Sequence, residues 1–232
     1  MWIDYKKAYD SIPHQWMLEV LNLYKINKTI QKFITTMIPQ WRTTANLPSA
    51  DGFITTDPIY FKRGIFQGDS LSPLLFCLSL IPISSILRRN QIGYSIENTK
   101  VSNLLYIDDL KIYAKGEEEM EKGRALIEMV SKDIKMEFGL SKCAVIHMKK
   151  GKIINSPCVE GIPELSGEDN YKYIGILQSD TILHDKVKEK TRKEYFQRVR
   201  RILKTNIHAK YTTDAIKTYA MPVLRYGFGI LK

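Results

Sequence analysis

Three carboxylates carry the first chemical signal in this chain. Asp4 closes a short apolar segment, and Asp108 and Asp109 stand side by side much further on, between two alternating stretches. Carboxylates in or beside a sheet are costly to bury unless a cation answers them. Three converging acids suit two Mg2+ ions roughly 3.5–4 Å apart, which can activate a hydroxyl nucleophile and stabilise a leaving pyrophosphate. Magnesium takes carboxylate oxygens together with substrate phosphates, so few protein ligands are needed. An Asp-Asp pair is equally an ordinary surface turn, where aspartate is favoured. Alone, the pair decides nothing.

Acids so placed need a sheet to hold them. Residues 1–4 read as a strand, and residues 101–114 alternate around the Asp-Asp pair as a hairpin with both carboxylates at its turn. Residues 14–24 and 28–38 carry apolar side chains at helical spacing, and residues 53–61 read as extended. After the loop 64–69 the pattern predicts a helix over 72–88, with Pro73 in its first turn and Ser72 as its cap. Residues 117–136 form an amphipathic helix whose acids crowd the first turns, where the helix dipole favours them. That helix is expected to end at Gly139 and run into a strand reaching Met148. Residues 149–168 read as a loop or irregular hairpin, and 171–177 as one short strand. From Thr181 the pattern is helical and basic, over 185–204 and again over 212–219. Strands and helices mix without strict alternation, which predicts an α+β fold.

The composition narrows the partners. The chain has 232 residues, 44% hydrophobic and 26% charged, enough for one large domain or one domain with an appendage. Its net charge is +10, and the excess is local. Residues 1–180 hold 22 Lys/Arg against 21 Asp/Glu, whereas residues 181–232 hold 13 against 4. A basic block on a neutral body suits a polyanion such as nucleic acid, or an acidic membrane surface. It is also what a solvated lysine-rich helix face looks like. The block lacks the broad tryptophan- or leucine-rich face of a membrane-surface helix, so no membrane is expected. Cys77, Cys143 and Cys158 form no C-x-x-C and read as reduced thiols of an intracellular protein, with Cys77 in the core. No secretory signal opens the chain. The longest apolar stretch, 71–87, is broken by serines and prolines and falls short of the ~20 residues of a membrane helix.

Five segments in order now change the weight of the acids. Asp4-Tyr5-Lys6-Lys7-Ala8-Tyr9-Asp10-Ser11, then Arg63-Gly64-Ile65-Phe66-Gln67-Gly68-Asp69-Ser70-Leu71-Ser72-Pro73-Leu74-Leu75-Phe76, then Tyr106-Ile107-Asp108-Asp109 closely resemble three successive motifs of reverse transcriptases. Phe138-Gly139-Leu140-Ser141-Lys142-Cys143 and Tyr171-Lys172-Tyr173-Ile174-Gly175 resemble the fourth and fifth. The wording of these motifs, and of the tail at 194–200 and 220–227, is similar to the non-LTR (LINE-like) retrotransposon branch. The resemblance runs from Met1 to Lys232.

The resemblance implies a polymerase right hand: a palm over 1–178, an antiparallel sheet packed on helices, then a helical basic thumb or connection segment over 179–232. The fingers that precede the first aspartate in the family are expected to be absent. It implies an RNA-directed DNA polymerase that uses two Mg2+ ions to join deoxynucleotides (dNTPs) to the 3'-hydroxyl of a DNA primer on an RNA template. Asp4, Asp108 and Asp109 match the metal-binding acids, with the Tyr5 carbonyl as an extra ligand. Tyr9 matches the aromatic steric gate that excludes a 2'-hydroxyl, and Gln67, Gly68 and Asp69 match the nucleotide pocket. Asp10 reads as a helix cap. Lys142 matches a lysine near the departing pyrophosphate, and Tyr171, Lys172, Tyr173, Ile174 and Gly175 match the primer grip. Lys186, Lys188, Lys190, Arg192, Lys193, Arg198, Arg200, Arg201 and Lys204 would supply phosphate contacts, with Phe196, Val199, Ile202 and Leu203 as the packed stripe. Without fingers to clamp the triphosphate, the isolated chain is expected to be weakly active or inactive. The alternative is a catalytically silent nucleic-acid-binding remnant.

Overall fold

In the computed structural model, which describes residues 1–49, 52–154, 161–167, 169–229 and 231, the apolar opening becomes β1 (Trp2–Ile3) and, past Asp4, β2 (Tyr5–Lys6). The short helix α1 (Ala8–Ser11) contains Asp10 within its turn instead of being capped by it. Helices α2 (His14–Leu23) and α3 (Lys28–Met37) follow, and the Asn27 side chain caps α3 by accepting the Thr29 N–H at 2.8 Å. The next stretch folds back on itself as β3 (Arg42–Thr43), β4 (Asn46–Ser49), β5 (Gly52–Thr55) and β6 (Ile59–Tyr60), with β4 paired to β5 and β3 to β6.

Helix α4 (Ser72–Arg89) is the core helix, and Leu75, Phe76, Leu80, Ile83 and Leu87 are its buried stripe. Ser72 is its first helical residue and is buried, not its cap; the Asp69 carboxylate lies at 3.4 Å from both the Leu71 N–H and the Ser72 hydroxyl. Pro82 inside α4 removes one amide donor, and one turn back the Trp16 indole donates to the Ser79 carbonyl at 3.0 Å. By length and composition α4 is apolar enough to cross a membrane, but that stripe is packed inside the protein.

Beyond α4 come β7 (Tyr94–Ile96), β8 (Thr99–Val101), β9 (Asn103–Tyr106), β10 (Asp109–Ile112), α5 (Glu117–Asp133) and β11 (Glu137–Phe138). Helix α5 ends at Asp133, short of the expected Gly139. The left-handed Lys135 (φ 58°) turns the chain so that β11 pairs with β2. Strands β1, β10 and β9 form an antiparallel sheet in that order, and Leu110 and Ile112 of β10 join Ile3 in the core with α4 and α5.

These elements make one unit, Met1–Val145 with Cys158–Pro163; Ile146–Pro157 and Glu164–Lys232 make another. The second unit holds β12 (Met148–Lys149), β13 (Lys152–Ile153), β14 (Tyr171–Tyr173), β15 (Ile176–Gln178) and the helices α6 (His184–Leu203), α7 (Ala209–Ala215) and α8 (Met221–Gly227). A π-helical turn, Ile216–Ala220, joins α7 to α8. The 171–177 segment is thus a hairpin and not one strand: Ile174 (φ 47°) and Gly175 (φ 73°) make its two-residue turn. The hairpin belongs with the helices that follow it, because the Tyr226 hydroxyl of α8 donates to the Ile174 carbonyl at 2.6 Å. Cys143, not Cys77, is the core thiol: Cys77 is half-buried, burial raises both pKa values, and Cys158 lies outside the described residues.

Candidate active site

The acids meet because of strand register. Trp2 faces Lys111 and Ile3 faces Leu110 across the β1–β10 ladder. Asp4 directly follows Ile3 and Asp109 directly precedes Leu110, so the two acids come together at the end of the ladder, where the Asp4 charge acts on Asp109. Asp108 stands beside them in the two-residue turn between β9 and β10, since Tyr106 pairs with Asp109. The other turn residue, Ile107, has φ 55°, a left-handed conformation that is strained for a β-branched side chain. Its side chain packs against the core, which holds the turn in place.

Electrostatics report the same convergence. The Asp109 carboxyl is raised above the usual carboxylate range, first by burial and then by the negative charges of Asp108 and Asp4. Asp4 Oδ2 is buried and accepts no hydrogen bond; the Lys142 ammonium stands 3.6 Å away. Among the described residues no three acidic, histidine or cysteine side chains close into a ready-made metal cage. The Asp4 carboxylate beside the mutually repelling Asp108 and Asp109 is a donor set that a divalent cation would satisfy, with Lys142 as the cation that Asp4 Oδ2 meets within the protein. Because the folded pKa of Asp109 is raised, its ionisation weakens the fold as pH rises through that value, and a bound cation would reverse this. Asp109→Asn is therefore expected to raise Tm in EDTA at pH 8 by up to roughly 2–4 °C, the equivalent of about 1 kcal/mol in a chain this size. A Tm below wild type in differential scanning fluorimetry would contradict the repulsion.

Lys142 reaches Asp4 through a local excursion. Antiparallel bridges join Phe138 to Tyr5 and Ala144 to Trp2, so five residues on one side face two on the other. The surplus coils into the 3-10 turn Leu140–Lys142, which lifts the lysine over the acid. Tyr5 is paired and buried, and its hydroxyl shares a 3.0 Å hydrogen bond with Ser131 of α5.

Tyr9 lies flat on Phe76 of α4, with centroids 4.4 Å apart and planes 2° from parallel. Burial and then the charges of Cys77 and Asp108 raise its pKa, which puts the ring beside the acids. The loop before α4 is strapped to the same region: the Gly64 N–H donates to the Ile12 carbonyl and the Ile65 N–H to the Tyr9 carbonyl, each at 2.8 Å. Gly64 (φ 86°) has Asp10 backbone where a Cβ would stand, 3.0 Å away. Gln67, Gly68 and Asp69 are exposed. Gln67 lines a cleft with Lys7, Asp10, Trp41, Lys62 and Arg63, while the Asp69 carboxylate is directed at the start of α4.

In the second unit, residues of the expected primer grip form the β14–β15 hairpin. Lys193, Arg200 and Arg201 of α6 and its C-cap Lys204 line one shallow basic cavity with Gln197, and Lys186, Lys190 and Arg192 are exposed. Arg198 is engaged within the protein, bonding Glu194 and the Tyr219 carbonyl. The packed stripe differs from the expected one. It runs through Val187, Thr191, Tyr195, Val199 and Ile202, whereas Phe196 (45% exposed) and Leu203 (59%) face outward. Phe196 lies a helical step round from Tyr195, under the Arg192 guanidinium at 5.7 Å. Ser131 carries no motif signal, and the partners of Phe76, Gly139 and Tyr226, which lie within the family-like segments, emerge only from the contacts.

The family model described as reverse transcriptase (RNA-dependent DNA polymerase) matches residues 1–177. Similar curated proteins include a retrovirus-related Pol polyprotein from the type-1 retrotransposable element R2 of Popillia japonica, 27% identical over 97% of this chain and 37% of that protein. Another is the Pol polyprotein from the type-2 element R2DM of Drosophila melanogaster, 24% identical over 98% of this chain and 22% of that protein. A Xenopus laevis transposon TX1 149 kDa protein is 24% identical over 76% of the chain and 13% of its own length. The chain thus spans well under half the length of these relatives. Among solved structures, apo telomerase from Candida tropicalis superposes with a TM-score of 0.49 at 17% identity, over 76% of this chain and 32% of that one.

Proposed function

The chain belongs to the reverse transcriptase family, its relatives being R2- and LINE-like retrotransposon Pol proteins, and on that premise we propose that it works as the RNA-directed DNA polymerase core of such a polyprotein. The observation that carries this reading is the convergence of Asp4 and Asp109 at the end of the β1–β10 ladder, with Asp108 at the adjoining turn and Tyr9 beside them. In it, residues 1–178 act as palm and 179–232 as thumb or connection.

Asp4, Asp108 and Asp109, with the Tyr5 carbonyl, would hold two Mg2+ ions, which when bound favour attack by a primer hydroxyl and neutralise the departing charge. As the primer 3'-hydroxyl loses its proton to solvent and its oxygen bonds the α-phosphorus of a dNTP, the bond to pyrophosphate breaks, and Lys142 gives a proton to that leaving oxygen. Its exposed ammonium beside Asp4 suits the task. The Tyr9 ring, held flat by Phe76, leaves no space for a 2'-hydroxyl, the group that marks ribose. Gln67 and Gly68 take the nucleotide, Asp69 shaping the loop from the helix side. The β14–β15 hairpin supports the primer end.

Lys193, Arg200, Arg201 and Lys204, with Lys186, Lys190 and Arg192, hold the template–primer duplex by its phosphates. Replacing those four cavity residues with alanine is expected to lower the slope of log K against log salt by about 3–4, at ~0.9 per phosphate contact. An unchanged slope in fluorescence anisotropy would remove them from the interface. The thiols, reduced in this reading, fit an intracellular setting.

The experiment that tests the function is primer extension by the purified chain on an RNA template, with Mg2+ or with EDTA. Mg2+-dependent addition of deoxynucleotides supports the reading. No addition, with salt-sensitive duplex binding retained, would mean a chain that holds nucleic acid and performs no chemistry.

A further inference from the structure

Gly139 is not a glycine for the sake of its backbone. Its φ of −82° and ψ of 71° lie in the inverse γ-turn region, which L residues adopt freely. What distinguishes it is the neighbour: a Cβ there would stand 3.0 Å from Asp4 Oδ2 and 3.5 Å from the Asp4 carbonyl oxygen. We infer that Gly139 is a positioning residue for the Asp4 carboxylate, its missing side chain being the space in which Oδ2 is seated. The inference rests on the reading of Asp4 as a metal ligand.

The backbone around Gly139 cannot retreat to make room. Its N–H donates to the Asp4 carbonyl at 2.7 Å. Its own carbonyl accepts the N–H groups of Lys142 and Cys143, at 2.7 and 3.2 Å. Phe138, the residue before it, is paired with Tyr5 and packs edge-on against that ring at 5.6 Å. Glycine is therefore pinned on both sides, while the Asp4 side chain is partly exposed and makes no hydrogen bond through Oδ2. An added methyl group would displace the softer partner. The Asp4 carboxylate would rotate about its side-chain bonds, away from Gly139, and so out of its place beside Asp109.

This separates positioning from stability. Gly139→Ala should not harm the fold, because its dihedrals suit alanine and the replacement narrows the unfolded ensemble. It should weaken divalent-ion binding, since ligand oxygens must stay within a few tenths of an ångström of their positions. The whole chain is titrated with Mn2+, the free ion being counted by electron paramagnetic resonance, for wild type, Asp4→Asn and Gly139→Ala. Tm in EDTA is read in parallel. The expected result is Mn2+ binding by wild type, its loss in Asp4→Asn, and at least tenfold weaker binding by Gly139→Ala with Tm equal to or above wild type. Wild-type affinity in Gly139→Ala overturns the inference, as does a fall of Tm in EDTA, which would make the glycine structural. Failure of wild type to bind Mn2+, or binding by Asp4→Asn equal to wild type, overturns the ligand reading of Asp4 itself and the inference with it.

Discussion

Conversion of Asp108 and Asp109 together to alanine is expected to abolish Mg2+-dependent nucleotide addition, a loss of at least about 10³-fold, while leaving the fold intact. The size follows from the chemistry. Phosphoryl transfer depends on positioning and charge stabilisation, and removing even one preorganised electrostatic group costs about 10²–10³-fold. The acids act as a unit, so either single substitution should approach the double mutant instead of taking half of its effect. Stability should not suffer, because Asp109 already carries a carboxyl whose ionisation is opposed by burial and by Asp108 and Asp4. Single-turnover extension of a DNA primer on RNA, with circular dichroism as the control on folding, measures both halves. A folded double mutant extending within tenfold of wild type would sink the assignment. A double mutant that also lost duplex binding would show that the acids act on the nucleic acid as a whole, and not on the transfer.

Much of this site was legible before any coordinate, and its limits are instructive. Alternation around Asp108-Asp109 predicts a hairpin because a side-chain period of two has few other readings, and β9–β10 follows it. The apolar spacing of α4 likewise foretells a buried stripe. Where the sequence misled, tertiary contacts outbid local pattern. Helical spacing persists through Met136, but α5 ends at Asp133 because the following residues are needed as the edge that pairs β2. Ser72 has the chemistry of a cap, yet Asp69 reaches the helix start and Ser72 is drawn into the core. Phe196 and Leu203 are apolar and still exposed, because the stripe of α6 that packs is set by Val187, a position far from both in sequence. The juxtaposition of Lys142 with Asp4 depends on a count, five residues facing two, that no single segment contains.

The final expectation joins packing to selectivity. Phe76→Ala should destabilise the first unit by about 3–5 kcal/mol, since truncating a buried phenylalanine adds a cavity to the lost transfer energy. Phe76 is fully buried on α4, at 0% exposure, so the surroundings offer little room to collapse. Against a typical total of about 5–15 kcal/mol, that loss should lower Tm by roughly 6–20 °C. A second consequence is specific to this pairing. Tyr9 keeps its place by lying flat on the Phe76 ring, 4.4 Å away, and loses that support when the ring is removed. Measured at a temperature where the variant remains folded, primer extension should show weaker discrimination between ribo- and deoxynucleotides, with the change in the ratio of kcat/KM values. Phe76→Leu separates the two effects, because it retains much of the apolar volume but removes the stacking plane. Loss of discrimination in both variants, with little loss of stability in the leucine form, is what a gate held by ring stacking requires. Intact discrimination in both would mean that Tyr9 is fixed by its backbone, through the bond its carbonyl accepts from Ile65, and that the ring beneath it serves the core alone.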